Sequence, residues 1–168
     1  MTAPANLGSL ADRGSLADRS SLVVGYGNPL RGDDGVGWVI AGLLATDPRF
    51  AGTDVLQRYQ LTPELALDVS RADLVVLVDA RSGAPAGSVA IERVDPASAS
   101  GTTWSHHLGP ASLVALAGEL YGHAPEVHVV SVGVTSFEVG DGLAPAVEAA
   151  VAGAIDTIAG LVAGTRHA

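Results

Sequence analysis

Five stretches of the chain have strand patterning and four more repeat their apolar residues at helical spacing. The first strand is read over 22 to 26, where "LVVGY" runs into a glycine-rich turn. "DVLQRYQL" (54 to 61) alternates and predicts a second strand. "ADLVVLVDA" (72 to 80) is the strongest strand signal, apolar on both faces before it closes on Asp79, as expected of a central strand covered by helices on each side. "GSVAIERV" (87 to 94) predicts a strand at an antiparallel edge, and "EVHVVSVGV" (126 to 134) the last one.

Between the strands, "VGWVIAGLLA" (36 to 45) places Val36, Val39, Ile40, Leu43 and Leu44 on one helical face. "TPELALDVSRA" opens with Thr62 as N-cap, Pro63 at the first helical position and Glu64 in the first turn. "PASLVALAGELYG" runs from Pro110 to a terminating Gly122, and a closing helix is expected over 143 to 162. That last segment is apolar, but Glu148 and Asp156 interrupt it. A lipid-spanning helix needs roughly 20 strongly apolar residues, so a packed amphipathic helix is expected, with no membrane partner.

Strands alternating with helices define an α/β class: three layers, α/β/α, around a mostly parallel, about five-stranded twisted sheet. One domain is expected over 21 to 164, with a mobile leader at 1 to 20 containing a tandem "GSLADR", and a short tail at 165 to 168. Functional groups of such sheets collect beyond the carboxyl ends of the strands. That rule selects three segments: residues 28 to 34, Asp79, and the loop "TTWSHHLG" before the helix at Pro110.

Composition removes whole classes of chemistry. Cysteine is absent, which excludes thiol catalysis, disulfides and thiolate metal sites. All nine basic residues are arginine and the net charge is −9, so nothing in the chain provides a basic cluster for nucleic acid. No secretory signal pattern is present, and the cytoplasm is the expected compartment. A dinucleotide-binding turn is disfavoured because "GYGNPL" puts Leu30 where a third glycine belongs and two aspartates follow. H-E-x-x-H and G-x-S-x-G are also missing.

The adjacent Asp33 and Asp34 remain to be explained. One aspartate can cap the helix starting near Gly35; two side by side raise each other's cost of ionisation unless a cation is near. The expectation is that Asp33 serves the turn or cap while Asp34 faces the cleft. With Asp79 and one of the paired His106 and His107, Asp34 would form an O,O,N set with open positions, suited to a divalent ion such as Ni²⁺, Zn²⁺ or Mn²⁺. His123, His128 and His167 are peripheral in this reading.

These segments resemble a known family. "GYGNPLRGDDGVGWVI" is similar to the N-terminal signature of the [NiFe]-hydrogenase maturation proteases, "LVVLVDARSGAPAGSV" to their second segment, and "SHHLGPASLVAL" to their third. The order and spacing agree from Leu22 to about Gly164. The resemblance implies that Asp34, Asp79 and His106 are the metal-binding and catalytic positions, with His107 filling the variable place before Leu108.

It further implies an endopeptidase that removes a C-terminal extension from a [NiFe]-hydrogenase large-subunit precursor after nickel insertion. The nickel would belong to that partner, with no tightly bound metal of the enzyme's own. "YQLTPEL" departs from the family's glycine-rich turn after the second strand, and this bears on which hydrogenase is the client; with "SFEVG" it looks like the subgroup serving soluble, cytoplasmic enzymes. Two alternatives stand beside this reading: a non-catalytic, chaperone-like nickel-binding protein on the same fold, and a self-contained zinc metallohydrolase.

Overall fold

The computed structural model describes residues 20–99, 108–135, 137–140 and 142–166. His106, His107, His167 and all of the expected leader except Ser20 lie outside these residues. Among the described residues five strands form one sheet: β1 (Ser21–Tyr26), β2 (Asp54–Arg58), β3 (Leu74–Ser82), β4 (Val89–Arg93) and β5 (Glu126–Val134). The helices are α1 (Val36–Leu44), α2 (Leu65–Arg71), α3 (Pro110–Tyr121) and α4 (Pro145–Arg166). Strand order is β2-β1-β3-β5-β4, parallel throughout except for β4, which runs antiparallel to β5 at the edge. The expected class and the antiparallel edge are both found.

The central run "LVVLV" supplies both halves of the core because strand side chains alternate between faces. Val76 and Val78 join Val23, Ile40, Leu44, Val130, Val132 and Ile158 in a cluster under α1 and α4. Val75 and Leu77 join Leu22, Val24, Leu65, Val69, Leu113 and Val114 under α2 and α3. Each face of β3 is thus covered by helices, which is why that strand carries no polar residue before Asp79.

α4 is long and apolar enough to cross a membrane by length and composition. Its stripe of Val147, Val151, Ala154, Ile155, Ile158 and Val162 packs on the sheet, in keeping with the amphipathic reading. α3 begins with Pro110 and ends at Gly122 in the left-handed region (φ 73°), as its sequence predicts.

Several boundaries move. Thr62 does not cap α2: Leu65 N–H and Ala66 N–H bond to the carbonyls of Thr62 and Pro63 in a preliminary turn, and the helix starts at Leu65. The Thr62 side chain instead donates to the carboxylate of Glu64 and holds that acid below its ordinary range. β2 stops at Arg58 rather than 61, because Tyr59 and Gln60 turn out into solvent. β3 extends two residues beyond Ala80, carried by its pairing with β5.

Close backbone approach fixes the entry of α1. Gly25 of β1 lies against Gly37 of α1, where an added Cβ would overlap the Gly37 carbonyl oxygen and stand 2.6 Å from Ala41 Cβ. A Cβ on Gly37 would in turn overlap the carbonyl oxygen of Val78 and stand 2.6 Å from that of Tyr26. Two facing glycines therefore let the first turn of α1 sit on the ends of β1 and β3, which carries the preceding turn, and Asp34 with it, over the sheet rim.

Candidate functional site

The turn between β1 and α1 is built by its own polar groups. Gly27 (φ 135°) leaves the strand in a conformation open only to glycine and passes against the backbone of Asp34. Asn28 Oδ1 accepts the N–H of Leu30 at 2.9 Å, and Arg31 N–H closes on the Asn28 carbonyl at 3.0 Å. Residues 32 to 35 then form a single 3-10 turn leading into α1.

The two aspartates divide their work, though not entirely as the sequence suggests. Asp33 is buried, with 2% exposure, and its Oδ1 accepts the N–H of Ala144 at 2.7 Å. It thereby secures the chain entering α4, 111 residues away, rather than capping α1, whose N-cap Gly35 receives no side-chain bond. Asp33 therefore holds a backbone N–H, but in the chain just before α4 and not in its own turn or helix. A backbone bridge between Arg31 and Gly140 reinforces this tie, with Gly32 N–H donating to Gly140 at 3.2 Å and Gly140 N–H donating to Leu30 at 3.3 Å. Sequence inspection missed the partnership of these two loops because nothing local encodes it.

Asp34 is half-buried on the other side of the turn. Its Oδ2 accepts the N–H of Asn28 at 3.0 Å, so one oxygen braces the loop. Asp79 sits beyond the buried portion of β3, at the carboxyl end of the sheet, with Oδ1 accepting the N–H of Ala80 at 2.7 Å. The Tyr26 hydroxyl, at the end of the neighbouring β1, is directed at Asp79 as a donor.

Electrostatics link the three groups. Burial pushes the Asp79 carboxyl up from 3.8 to about 6; the bonds from Tyr26 and Ala80 oppose this, and the charge of Asp34 adds to it. Burial and the adjacent Asp79 likewise drive the Tyr26 hydroxyl far above its ordinary value, so it remains a proton donor. Tyr26 was not singled out from sequence; its place as the last residue of the first strand, opposite a candidate acid, was the available signal.

Asp79 makes the metal-free protein pH-sensitive with a definite sign. Its ordinary value is 3.8 and its folded value about 6, so the folded state favours the protonated acid. The stability this group contributes is full below about pH 4 and is lost as pH rises through about 6, on the order of 2 kcal/mol. Asp79→Asn keeps a neutral acceptor for Tyr26 and Ala80. It is expected to raise the melting temperature of the metal-free protein by about 5 °C at neutral pH, with the gain shrinking towards zero near pH 4. Thermal unfolding at both pH values checks this; an equal gain at both would contradict it.

The structure thus brings Asp34 and Asp79 to one rim, where the charge of Asp34 adds to the upward push that burial gives Asp79. His106, the third expected member, and its neighbour His107 fall outside the described residues, and among the described residues no cluster of three ligating side chains occurs. His123 and His128 are engaged elsewhere: His123 Nε2 lies 3.1 Å from the Ala72 carbonyl, and His128 Nε2 lies 2.7 Å from Glu126. A cavity of about 340 Å³ opens beside the amino ends of β1 and β2, lined by Ser20, Leu22, Asp54, Asp68 and Arg71. It lies at the opposite end of the strands from the acids, so the carboxylates locate the site better than the hollow does.

An open, mostly parallel sheet with coupled acids at its carboxyl rim defines the class, and comparison with solved structures sharpens it. The hydrogenase maturating endopeptidase HybD from Escherichia coli superposes with a TM-score of 0.68 at 26% identity, covering 83% of this chain and 89% of that one. The solution structure of an endopeptidase from Escherichia coli gives 0.64 at 27% identity over 83% and 89%. The [NiFe] hydrogenase maturation protease HybD from Thermococcus kodakarensis gives 0.65 at 20% identity over 84% and 98%. No protein-family model and no curated protein matches the chain. The chain matches the [NiFe]-hydrogenase maturation proteases in structure across most of its length, and its fold is that of the hydrogenase maturation endopeptidases.

Proposed function

We propose that this protein is an endopeptidase that removes the C-terminal extension of a [NiFe]-hydrogenase large-subunit precursor once nickel has been inserted. One observation carries the reading: in a chain with the fold of such endopeptidases, Asp34 and Asp79 arrive at one rim from different segments and couple there. In this reading they meet the nickel of the substrate, with His106 as the third group.

The chemistry follows from the charges. Asp79 holds its proton more tightly than an ordinary carboxyl because it is buried and faces Asp34. A divalent ion brought in by a substrate offsets that penalty, lets Asp79 ionise beside Asp34, and is held by the two acids. Binding is then conditional on the client's metal, which makes the two acids a test of whether nickel has been loaded. Tyr26, kept protonated, orients Asp79 by donating to it. The reaction is hydrolysis: water adds to the scissile carbonyl, the C–N bond breaks, and the leaving amine takes a proton. A metal beside the scissile bond would polarise the carbonyl or activate the water. The enzyme would work in the cytoplasm, with the precursor as its protein partner and no nucleic acid or membrane.

Incubating a nickel-loaded large-subunit precursor with the purified protein tests the activity. Intact mass should fall by that of a C-terminal peptide. A precursor that binds and keeps its mass would point to the non-catalytic nickel-binding alternative. Zinc retained by the purified protein through dialysis would favour the self-contained hydrolase.

A further inference from the structure

β3 outruns the strand beside it. Pairing between β1 and β3 ends at Gly25 opposite Val78, whereas β3 continues from Asp79 to Ser82 and pairs there only with β5, Asp79 with Ser131 through Ser82 with Val134. The overhang begins at the candidate site acid itself, and Arg81 and Ser82 are exposed.

Which way its backbone groups point can be settled from its neighbours. Gly133 of β5 turns away from β3: its N–H donates to the Ser88 carbonyl at 2.7 Å and its carbonyl accepts from Gly87 N–H at 2.9 Å. Successive strand residues present their N–H and C=O to opposite edges, so Val132 and Val134 face β3 and bond to Arg81 between them. Ala80 and Ser82 then face the opposite edge, the one β1 leaves open. Val78 agrees, since its carbonyl lies on that side against Gly37. The Ala80 N–H is taken by Asp79 at 2.7 Å. The Ala80 carbonyl and both backbone groups of Ser82 have no partner among the described residues.

From this we infer that the β3 overhang is a docking edge on which an extended segment of the protein substrate is held as an added parallel strand. One substrate residue lies opposite Arg81, donating its N–H to the Ala80 carbonyl and accepting the Ser82 N–H. Only an extended polypeptide satisfies both groups at that spacing, which identifies the occupant by its chemistry. The outer edges of β2 and β4 also present unpaired groups, but they lie at the margins of the sheet. A strand added to β3 passes directly beside Asp79, where the peptide to be cut must lie. The inference rests on the peptidase reading above.

Ser82→Pro removes the open donor without touching the ladder to β5, and proline is tolerated where a strand N–H faces outward. Ser82→Ala retains the N–H and serves as its control. Processing of the precursor, followed by intact mass over a range of concentrations, should need about tenfold more precursor for half-saturation with Ser82→Pro and be nearly unchanged with Ser82→Ala. Independently of any variant, hydrogen exchange at the Ser82 amide of the unmodified protein should slow about tenfold when precursor is added. Normal saturation by Ser82→Pro with unchanged exchange overturns the docking edge and leaves the peptidase intact. If the unmodified protein fails to cut the nickel-loaded precursor, the peptidase reading falls. The exchange measurement then decides the edge alone: protection of Ser82 retains it, and no protection overturns it.

Discussion

Gly25→Ala is expected to unfold the protein or leave it barely stable. The added methyl would overlap the Gly37 carbonyl oxygen and lie 2.6 Å from Ala41 Cβ, so backbone rather than a flexible side chain must move. Ordinary overpacking costs about 1–3 kcal/mol; separating α1 from the centre of the sheet should exceed about 4 kcal/mol, a large part of the roughly 5–15 kcal/mol that holds a domain together. In melting temperature that is about 10 °C or more for a chain of this length. Gly153→Ala is the contrasting control. It lies in the middle of α4 with nothing within 4 Å of its would-be Cβ, and should raise stability by about 0.5–1 kcal/mol through helix propensity alone. Thermal or urea unfolding of the two variants tests whether the close approach, and not glycine as such, is what α1 requires.

The second large effect belongs to the site. Asp34→Ala and Asp79→Ala are each expected to lower precursor processing by at least about 100-fold, the scale of losing a principal electrostatic contact to the reacting region. The two should differ in a second respect. Asp34 also braces the turn through Asn28, so its loss should lower the melting temperature slightly, by about the value of one charge-assisted hydrogen bond. Asp79→Ala removes a buried, raised-pKa acid and should not destabilise the protein at neutral pH to a similar degree. Asp34→Asn and Asp79→Asn retain shape and acceptor oxygens while removing charge, so processing should remain low in both. Near-normal processing by the asparagine variants would mean that the acids shape the site without engaging a cation.

Much of this arrangement was legible in the chain. The run "LVVLV" could only be a strand covered on both sides, and "PASLVALAGELYG" carried its own start and stop signals in Pro110 and Gly122. The paired aspartates announced themselves because one local cap needs one side chain. What escaped was whatever depends on distant partners. Asp33 reaches Ala144 across 111 positions, and a cap on its own helix was the nearer guess. The polar Arg81 and Ser82 suggest a strand that ends at Ala80, yet β5 is long enough to keep those two residues in the ladder. Thr62 and Pro63 carry the composition of a helix start, but their carbonyls are used in a preliminary turn and α2 begins at Leu65. Tyr26 gained its role only when the sheet order placed β1 beside β3.

The central claim is that Asp34 and Asp79 read a metal carried by the substrate. Its most direct test is the intact mass of one large-subunit precursor prepared in nickel-loaded and nickel-depleted forms, each incubated with this protein under identical conditions. The account predicts loss of a C-terminal peptide from the loaded form and an unchanged mass for the depleted form. Equal cleavage of both forms would contradict it, because the two acids would then act without the ion they are proposed to recognise.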